Sequence, residues 1–196
     1  MVSALYVRKD SIYKQLGIDC WDIDRDARNW PGGNPVIAHP PCRAWGSLSH
    51  MAKPREDEKE LAIRAIRAIR EFGGILEHPA TSKLWAVLNL PAPGKIDSFG
   101  GYTLCINQSW FGHKALKKTF LYIVGCSQQD LPPIPISFDA IQYTIASKIK
   151  KKSGRRVKKE VTKAEREQTP PTLAAWLIAV AEKCQKHAIP DLSLSR

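Results

Sequence analysis

The sequence predicts a single α/β domain in which helices cover both faces of a mainly parallel β-sheet. A strand at residues 35–38, a long helix at 56–72 and a second strand from Ile75 follow one another with short joints. This order is a βαβ unit, which places its two strands parallel in one sheet. Residues 102–107 and 119–124 flank a polar turn and predict an antiparallel hairpin. With this hairpin at one edge of the sheet, the expected architecture is a three-layer sandwich.

The first forty residues predict further strands and a short helix. Residues 4–7 (ALYV) form an apolar run, and residues 18–23 (IDCWDI) alternate apolar and polar side chains with the period of a strand. Between them a helix is expected at residues 11–16, because Ser11 is a favourable N-cap and Gly17 a favourable end. The strand at 35–38 (PVIA) does not alternate, which is typical of a parallel strand buried on both faces.

Residues 56–72 show the clearest helical pattern. Apolar side chains recur at three- and four-residue spacing, and charged side chains occupy the opposite face. Gly73 and Gly74 end the helix, since glycine readily adopts the left-handed conformation that follows many helices. We therefore expect one face to pack on the sheet. That face consists of Leu61, Ala62, Ala65, Ile66, Ala68, Ile69 and Phe72.

Charge divides the chain into three regions. Residues 1–146 form the α/β core, and residues 147–168 form a basic, flexible arm. Residues 169–196 carry a last helix, from 170 to about 186 with Thr169 as its cap, that packs back on the core. Between residues 148 and 166, ten Lys or Arg face two Glu, so this stretch holds about +8 of the formal charge of +11.

The basic arm predicts DNA as a partner. A nearly unbroken run of positive charge is expected of a segment that meets a polyanion, the alternative being a solvated, solubilising loop. A basic turn between the hairpin strands adds further cations. The arm residues expected to contact nucleic acid are Lys150, Lys151, Lys152, Arg155 and Arg156.

Composition indicates an intracellular protein with reduced thiols. The five cysteines are widely spaced and contain no CxxC pair, which argues against a disulfide framework or a zinc ribbon. No apolar run approaches the roughly 18–20 residues of a membrane span, and the apolar stretch at the N-terminus is too short for a secretory signal. We expect a cytoplasmic protein without a membrane partner. Since no histidine pair has a ligand spacing such as HExxH, we expect no metal site.

Two loops bring chemically active side chains to one edge of the predicted sheet. Sites in open α/β sheets form beyond the carboxyl ends of the strands. The HPPC segment at residues 39–42 follows one strand, and the EHP segment at residues 77–79 follows the next. Prolines restrict the first loop and so aim Cys42, whose thiolate would be a nucleophile beside the acid Glu77. The alternatives are a buried structural cysteine and a surface carboxylate.

Four segments resemble one enzyme family, in the same order along the chain. HPPCRAWGSLS is similar to the Pro-Cys-Gln-x-Phe/Trp-Ser motif of DNA cytosine-C5 methyltransferases, and ILEHPATSKLW to their Glu-Asn-Val or Glu-Asn-Pro motif. QSWFGHKALKKTFLYIVG resembles a later strand pair, and EREQTPPTLAAWL the C-terminal segment of small phage-encoded members. The resemblance implies a Rossmann-like, methyltransferase-type fold and, for a phage protein, the cytoplasm of a bacterial host.

The resemblance also implies a mechanism. Cys42 would attack C6 of a cytosine while Glu77 engages N3 and the exocyclic amine, so that C5 takes a methyl group from S-adenosylmethionine. Asp22 or Asp24, at the end of the second strand, would bind the ribose of that donor. A base in duplex DNA would have to be extruded from the stack. The residues expected to hold the base or its phosphates are Arg43, Gln108, His113, Lys114 and Lys118.

Departures from the family pattern leave two alternatives. The chain reads LYVRKDSIYKQ where the family has a glycine-rich turn, Arg43 replaces the usual Gln, and His78 replaces Asn. There is also no room for a separate target-recognition domain. One alternative is a non-catalytic nucleic-acid-binding phage accessory protein that keeps the fold. The other is a pyrimidine-modifying enzyme that uses a different donor.

Overall fold

A six-stranded, mostly parallel sheet forms the centre of the protein. The computed structural model describes residues 1–46, 49, 52–137, 141, 143–145 and 159–184. The strand order is β2-β1-β3-β4-β6-β5; the first four strands are parallel, and β6 runs antiparallel to both of its neighbours. The predicted α/β class and the expected antiparallel pair are both present. The strands are β1 (Ser3–Leu5), β2 (Asp19–Trp21), β3 (Val36–Ala38), β4 (Gly74–Pro79), β5 (Tyr102–Asn107) and β6 (Lys118–Val124).

Helices cover both faces of the sheet. The helices are α1 (Ile12–Gln15), α2 (Glu58–Phe72), α3 (Leu84–Val87), α4 (Lys163–Glu167) and α5 (Pro171–Lys183). Successive strand residues point to opposite faces. Ile37 and Ile75 therefore join α1 and α5 in one buried cluster, whereas Ala38 and Leu76 join α2 in the other. This arrangement is compatible with a Rossmann-like sandwich. None of the helices in the described ranges is long and apolar enough to cross a membrane.

The β3–α2–β4 unit matches the prediction closely. Helix α2 begins at Glu58, two residues later than predicted, and Gly73 follows it with a φ of +79°. Gly74 opens β4 with a φ of +133°, and a Cβ atom there would lie 2.1 Å from the carbonyl oxygen of Val36. Glycine is thus required where the two strands approach. The strands predicted at residues 4–7 and 18–23 are shorter than expected, at three residues each.

One C-terminal prediction needs correction, and the end of the predicted arm can be described. Thr169 does not cap the last helix, because Pro170 holds the N-cap position of α5 and no side chain bonds the free amides there. The predicted arm is regular in its described part, residues 159–168. Strand β8 (Lys159–Glu160) pairs with β7 (Tyr143–Thr144), and Thr162 and Glu165 form a capping box that begins α4. Residues 147–158 and 185–196 lie outside the described residues, and with them Lys150, Lys151, Lys152, Arg155 and Arg156.

Candidate active site

Cys42 and Glu77 lie on neighbouring parallel strands at the carboxyl edge of the sheet. Ala38, the last residue of β3, pairs in register with Leu76 of β4. Glu77 is the next residue of β4, and Cys42 lies four residues beyond β3 at the start of a 3-10 turn, Arg43–Trp45. The Cys42 residue is exposed rather than packed in the core. Glu77 lies inside β4 and not after it, because the antiparallel pairing with β6 continues to Pro79.

Two side chains hold the Glu77 carboxylate, which is only 11% exposed. His39 Nδ1 lies 3.0 Å from Oε2, and Gln108 Nε2 donates to Oε1 at 2.8 Å. His39 leaves the end of β3, three residues before Cys42, and Gln108 follows the end of β5. The Glu77 carboxylate is therefore held from the end of β3 on one side and from the end of β5 on the other. These two hydrogen bonds fix its orientation.

A fully buried tyrosine completes the hydrogen bonding of His39. The Tyr13 hydroxyl, on α1, lies 3.0 Å from His39 Nε2. Burial, with the negative charge of Glu77, raises the pKa of Tyr13 well above its ordinary value, so the hydroxyl stays neutral. Because a carboxylate can only accept, His39 Nδ1 donates to Glu77, and Nε2 of a neutral ring then accepts a hydrogen bond from the Tyr13 hydroxyl. The result is a directed chain of hydrogen bonds from Tyr13 through His39 to Glu77.

The charges of Cys42, Glu77 and Lys117 influence one another. Burial alone would raise the pKa of Glu77, but the positive charge of Lys117 and the hydrogen bond from His39 outweigh it, and the pKa falls well below its usual value. Glu77 is therefore ionised at neutral pH. Partial burial and the negative charge of Glu77 raise the pKa of the Cys42 thiol, although Lys117 lowers it. At rest the site holds a protonated thiol and an ionised carboxylate that influence one another electrostatically.

The Gln108 side chain contacts Glu77 and is buried away from the protein surface. Its side chain is 1% exposed, and its Nε2 donates to both Glu77 and Thr119. Its Oε1 has no hydrogen-bond partner among the described residues. The sequence predicted that Gln108 would help to hold the target base or its phosphates. The structure places it behind Glu77, with one unpaired acceptor at the buried end of the site.

Two of the predicted nucleic-acid-binding residues around the site, Arg43 and Lys114, are paired with carboxylates. Arg43 forms a short, forked ion pair with Glu58, whose side chain is 1% exposed, and so ties the Cys42 loop to the first turn of α2. Lys114 Nζ lies 2.6 Å from Glu165 Oε1 on α4. His113 Nε2 lies 3.3 Å from the carbonyl oxygen of Glu165. Lys118, the first residue of β6, is exposed.

Hydrogen bonds within the fold engage both oxygens of the Asp22 carboxylate. Its Oδ1 accepts from the amides of Asp24 and Arg25, its Oδ2 accepts from Lys14 at 2.6 Å, and its side chain is 4% exposed. The hydrogen bond from Lys14, with those from the turn amides, lowers the pKa of Asp22 to about 2. Asp24 is exposed and pairs with Lys9 at 2.7 Å.

A cavity of about 190 Å³ lies beyond the carboxyl ends of β1, β2 and β3. Its lining includes Tyr6, Asp22 and Pro41. Tyr6 follows β1 with a φ of +60°, a conformation that costs a bulky residue about 1–3 kcal/mol. The backbone thus makes a turn suited to glycine while a tyrosine ring lines the cavity. A buried, satisfied Asp22 and a tyrosine at this turn do not fit the ribose and backbone contacts that S-adenosylmethionine was expected to make.

Comparison with known proteins assigns no family. No protein-family model matches the sequence, and no curated protein matches it. Fold and site together define an α/β protein with an exposed thiol and a buried carboxylate at the carboxyl edge of a mostly parallel sheet.

Sequence reasoning did not single out Tyr13 or His39 as parts of this arrangement. The signal for His39 was available, since it leaves the same strand as Cys42. Tyr13 carried no such signal, because its contact with His39 joins residues 26 positions apart. In the described part of the chain, no group of three or more His, Cys, Asp or Glu side chains is placed to hold a metal ion.

Proposed function

We propose that this protein modifies a pyrimidine base in DNA through a covalent adduct of Cys42, as the resemblance to cytosine-C5 methyltransferases implies. One observation carries the proposal: an exposed thiol shares an electrostatic site with an ionised, oriented carboxylate on the next strand. A protein that only binds nucleic acid does not need this pair. The mainly parallel sheet with an antiparallel pair at one edge also supports the resemblance.

The resting protonation states define how the adduct forms on cytosine. Glu77 accepts the Cys42 proton, directly or through one water, and the sulfur electron pair forms the S–C6 bond. The C5=C6 electron pair moves to C4–C5, and the C4=N3 pair moves to N3, which takes the proton from Glu77. The adduct is therefore neutral overall, with hydrogen on N3 and a nucleophilic C5. His39 and Gln108 hold Glu77 in place during both proton transfers.

The donor that completes the reaction stays separate from this mechanism. S-adenosylmethionine is the donor that the resemblance implies, and it would supply an electrophilic methyl group to C5. Because Asp22 is buried and Tyr6 lines the cavity, the residues present do not match it. The Cys42 adduct forms without a donor, and a different electrophilic donor is compatible with the same adduct.

Hydrogen exchange at C5 tests the adduct without a donor. A nucleophilic C5 takes a deuteron from D₂O, and collapse of the adduct leaves deuterium at C5 of the cytosine. We expect mass spectrometry to show this exchange in an oligonucleotide incubated with the wild-type protein. Cys42→Ser should abolish it, whereas Cys105→Ser, which alters a partly exposed cysteine of β5, should not.

If the oligonucleotide binds but shows no deuterium exchange at C5, the enzymatic proposal is refuted. It would instead favour the second candidate, a non-catalytic nucleic-acid-binding protein. That candidate is supported by the raised pKa of Cys42 and by the occupied carboxylate of Asp22. An oligonucleotide carrying 5-fluorocytosine gives a second readout, since an adduct that goes on to transfer a group at C5 stays trapped on Cys42.

A further inference from the structure

The segment that follows the hairpin spans the candidate active site. It comprises residues 143–145 and 159–168, here named the α4 bridge, and contains β7, β8 and α4. Two ion pairs connect it to the rest of the domain: Glu165 with Lys114, and Glu167 with Arg8 at 3.0 Å. These contacts join loops that lie far apart in the strand order.

The sheet topology places the α4 bridge across the mouth of the site. Arg8 lies in the loop after β1, and Lys114 lies in the loop between β5 and β6. Strand β5 runs in the same direction as β4, so both loops are at the carboxyl edge of the sheet. In the order β2-β1-β3-β4-β6-β5, the strands carrying Cys42 and Glu77 lie between them. The charge of Glu167 also contributes to raising the pKa of Cys42, as expected from this topology.

Packing at the Lys114 end shows that this contact is specific. Tyr143 forms a bridge with Ala115, and the Lys114 ammonium lies 5.9 Å from the centre of the Tyr143 ring. Val161, between β8 and α4, is 3% exposed. The carboxylates of the two ion pairs are more accessible than Val161: the Glu165 side chain is 32% exposed and the Glu167 side chain 46%. Competing anions in solution can therefore reach both ion pairs.

We propose that the Lys114 and Arg8 surfaces are phosphate-binding positions, and that Glu165 and Glu167 occupy them until the DNA backbone displaces the α4 bridge. This inference rests on the proposed function, since it assumes a nucleic acid substrate. A carboxylate and a phosphate oxygen compete for the same ammonium and guanidinium donors. Exposed ion pairs of this kind are weak, so a backbone with one charge per nucleotide displaces them readily.

Removing the two carboxylate charges tests the inference. Glu165→Gln keeps the capping box, because Gln serves as well as Glu at that position. Combined with Glu167→Gln, it should tighten binding of a fluorescein-labelled 20-nucleotide duplex by about tenfold, as expected from two exposed pairs. Lys114 then loses its Glu165 partner, while Arg8 keeps its forked ion pair with Asp10. Because the same two cations contact phosphates in the wild-type complex, the gain should appear in affinity, with little change in the salt dependence. Hydrogen exchange of the α4 amides should rise when the duplex binds to the wild-type protein.

The matched control is Glu71→Gln with Glu182→Gln, two exposed residues near the C-terminal ends of α2 and α5, which removes the same charge at the edge of the sheet opposite the mouth. Equal tightening in both double variants, or no tightening in either, overturns the inference, because general charge would then explain binding. C5 deuterium exchange in the same samples separates the two proposals. Tight binding by the α4 variants without exchange supports the bridge and rejects the enzyme, whereas exchange with unaltered affinities rejects only the bridge.

Discussion

The hydrogen-bond chain from Tyr13 through His39 to Glu77 makes a quantitative prediction for Tyr13→Phe. The ring is fully buried, and phenylalanine keeps its packing while losing one oxygen atom. The loss removes one buried hydrogen bond and leaves His39 Nε2 without its donor. A lost bond of this type costs about 1 kcal/mol and an unpaired buried polar atom about 1 kcal/mol more, so the free energy of unfolding should fall by roughly 1–2 kcal/mol.

Urea unfolding followed by tryptophan fluorescence measures this change, and a domain of this size should lose roughly 2–8 °C in Tm. Tyr102→Phe is the control, because the Tyr102 hydroxyl is buried without a hydrogen-bond partner among the described residues. Its removal should cost nothing or stabilise the fold slightly. Equal effects of the two substitutions would refute the stabilising contribution of the Tyr13–His39 hydrogen bond. C5 deuterium exchange should also slow in Tyr13→Phe alone, since only that change frees His39 and, through it, Glu77.

Three further predictions concern pH, donor and salt. Burial lowers the pKa of His78 from 6.5 to about 4, so the unfolded chain takes up this proton at a higher pH than the folded protein does. The free energy of unfolding is therefore highest above pH 6.5 and decreases as pH falls towards 4. Between pH 7 and 4.5, protonation of His78 should lower the free energy of unfolding of the wild-type protein by about 2–3 kcal/mol, as measured by urea unfolding, and His78→Leu should not show this decrease. The same decrease in the variant would contradict the assignment. S-adenosylmethionine at 1 mM should shift the wild-type Tm by less than about 1 °C; a shift well above that would show that the cavity beside Tyr6 accepts this donor. Replacing Lys150, Lys151 and Lys152 by Gln should make the plot of log K against log salt for duplex DNA less steep by about 2.7 units. An unaltered slope would show that these charges are only solvated.

The secondary structure was most predictable where local patterns are strong. The βαβ unit around α2 follows from helical periodicity, a glycine pair and apolar strand segments, each of which acts over a few residues. The end of β4 was not predictable in this way. Glu77 belongs to the strand because β6 continues to pair with it, and that pairing is made by residues more than forty positions away.

The site was predictable in outline and not in its connections. Cys42 and Glu77 were expected near each other because they follow strands joined by one crossover, and the register of β3 with β4 provides the physical basis. The hydrogen-bond partners of Asp22 and Gln108 within the fold were not predictable, since residue type does not reveal which partners a side chain already has. Asp22 is engaged by Lys14 and turn amides, and Gln108 by Glu77 and Thr119.

The sequence alone thus determined the fold class, the order of the βαβ unit and the hairpin, and the two chemically active segments at the carboxyl edge. Those features depend on short-range periodicity and on residue chemistry. Tertiary structure alone decided the protonation states of Cys42 and Glu77, the tautomer of His39 and the path of the α4 bridge across the site. Each of these depends on distances between residues far apart in the chain, because burial and neighbouring charges set a pKa and chain separation does not.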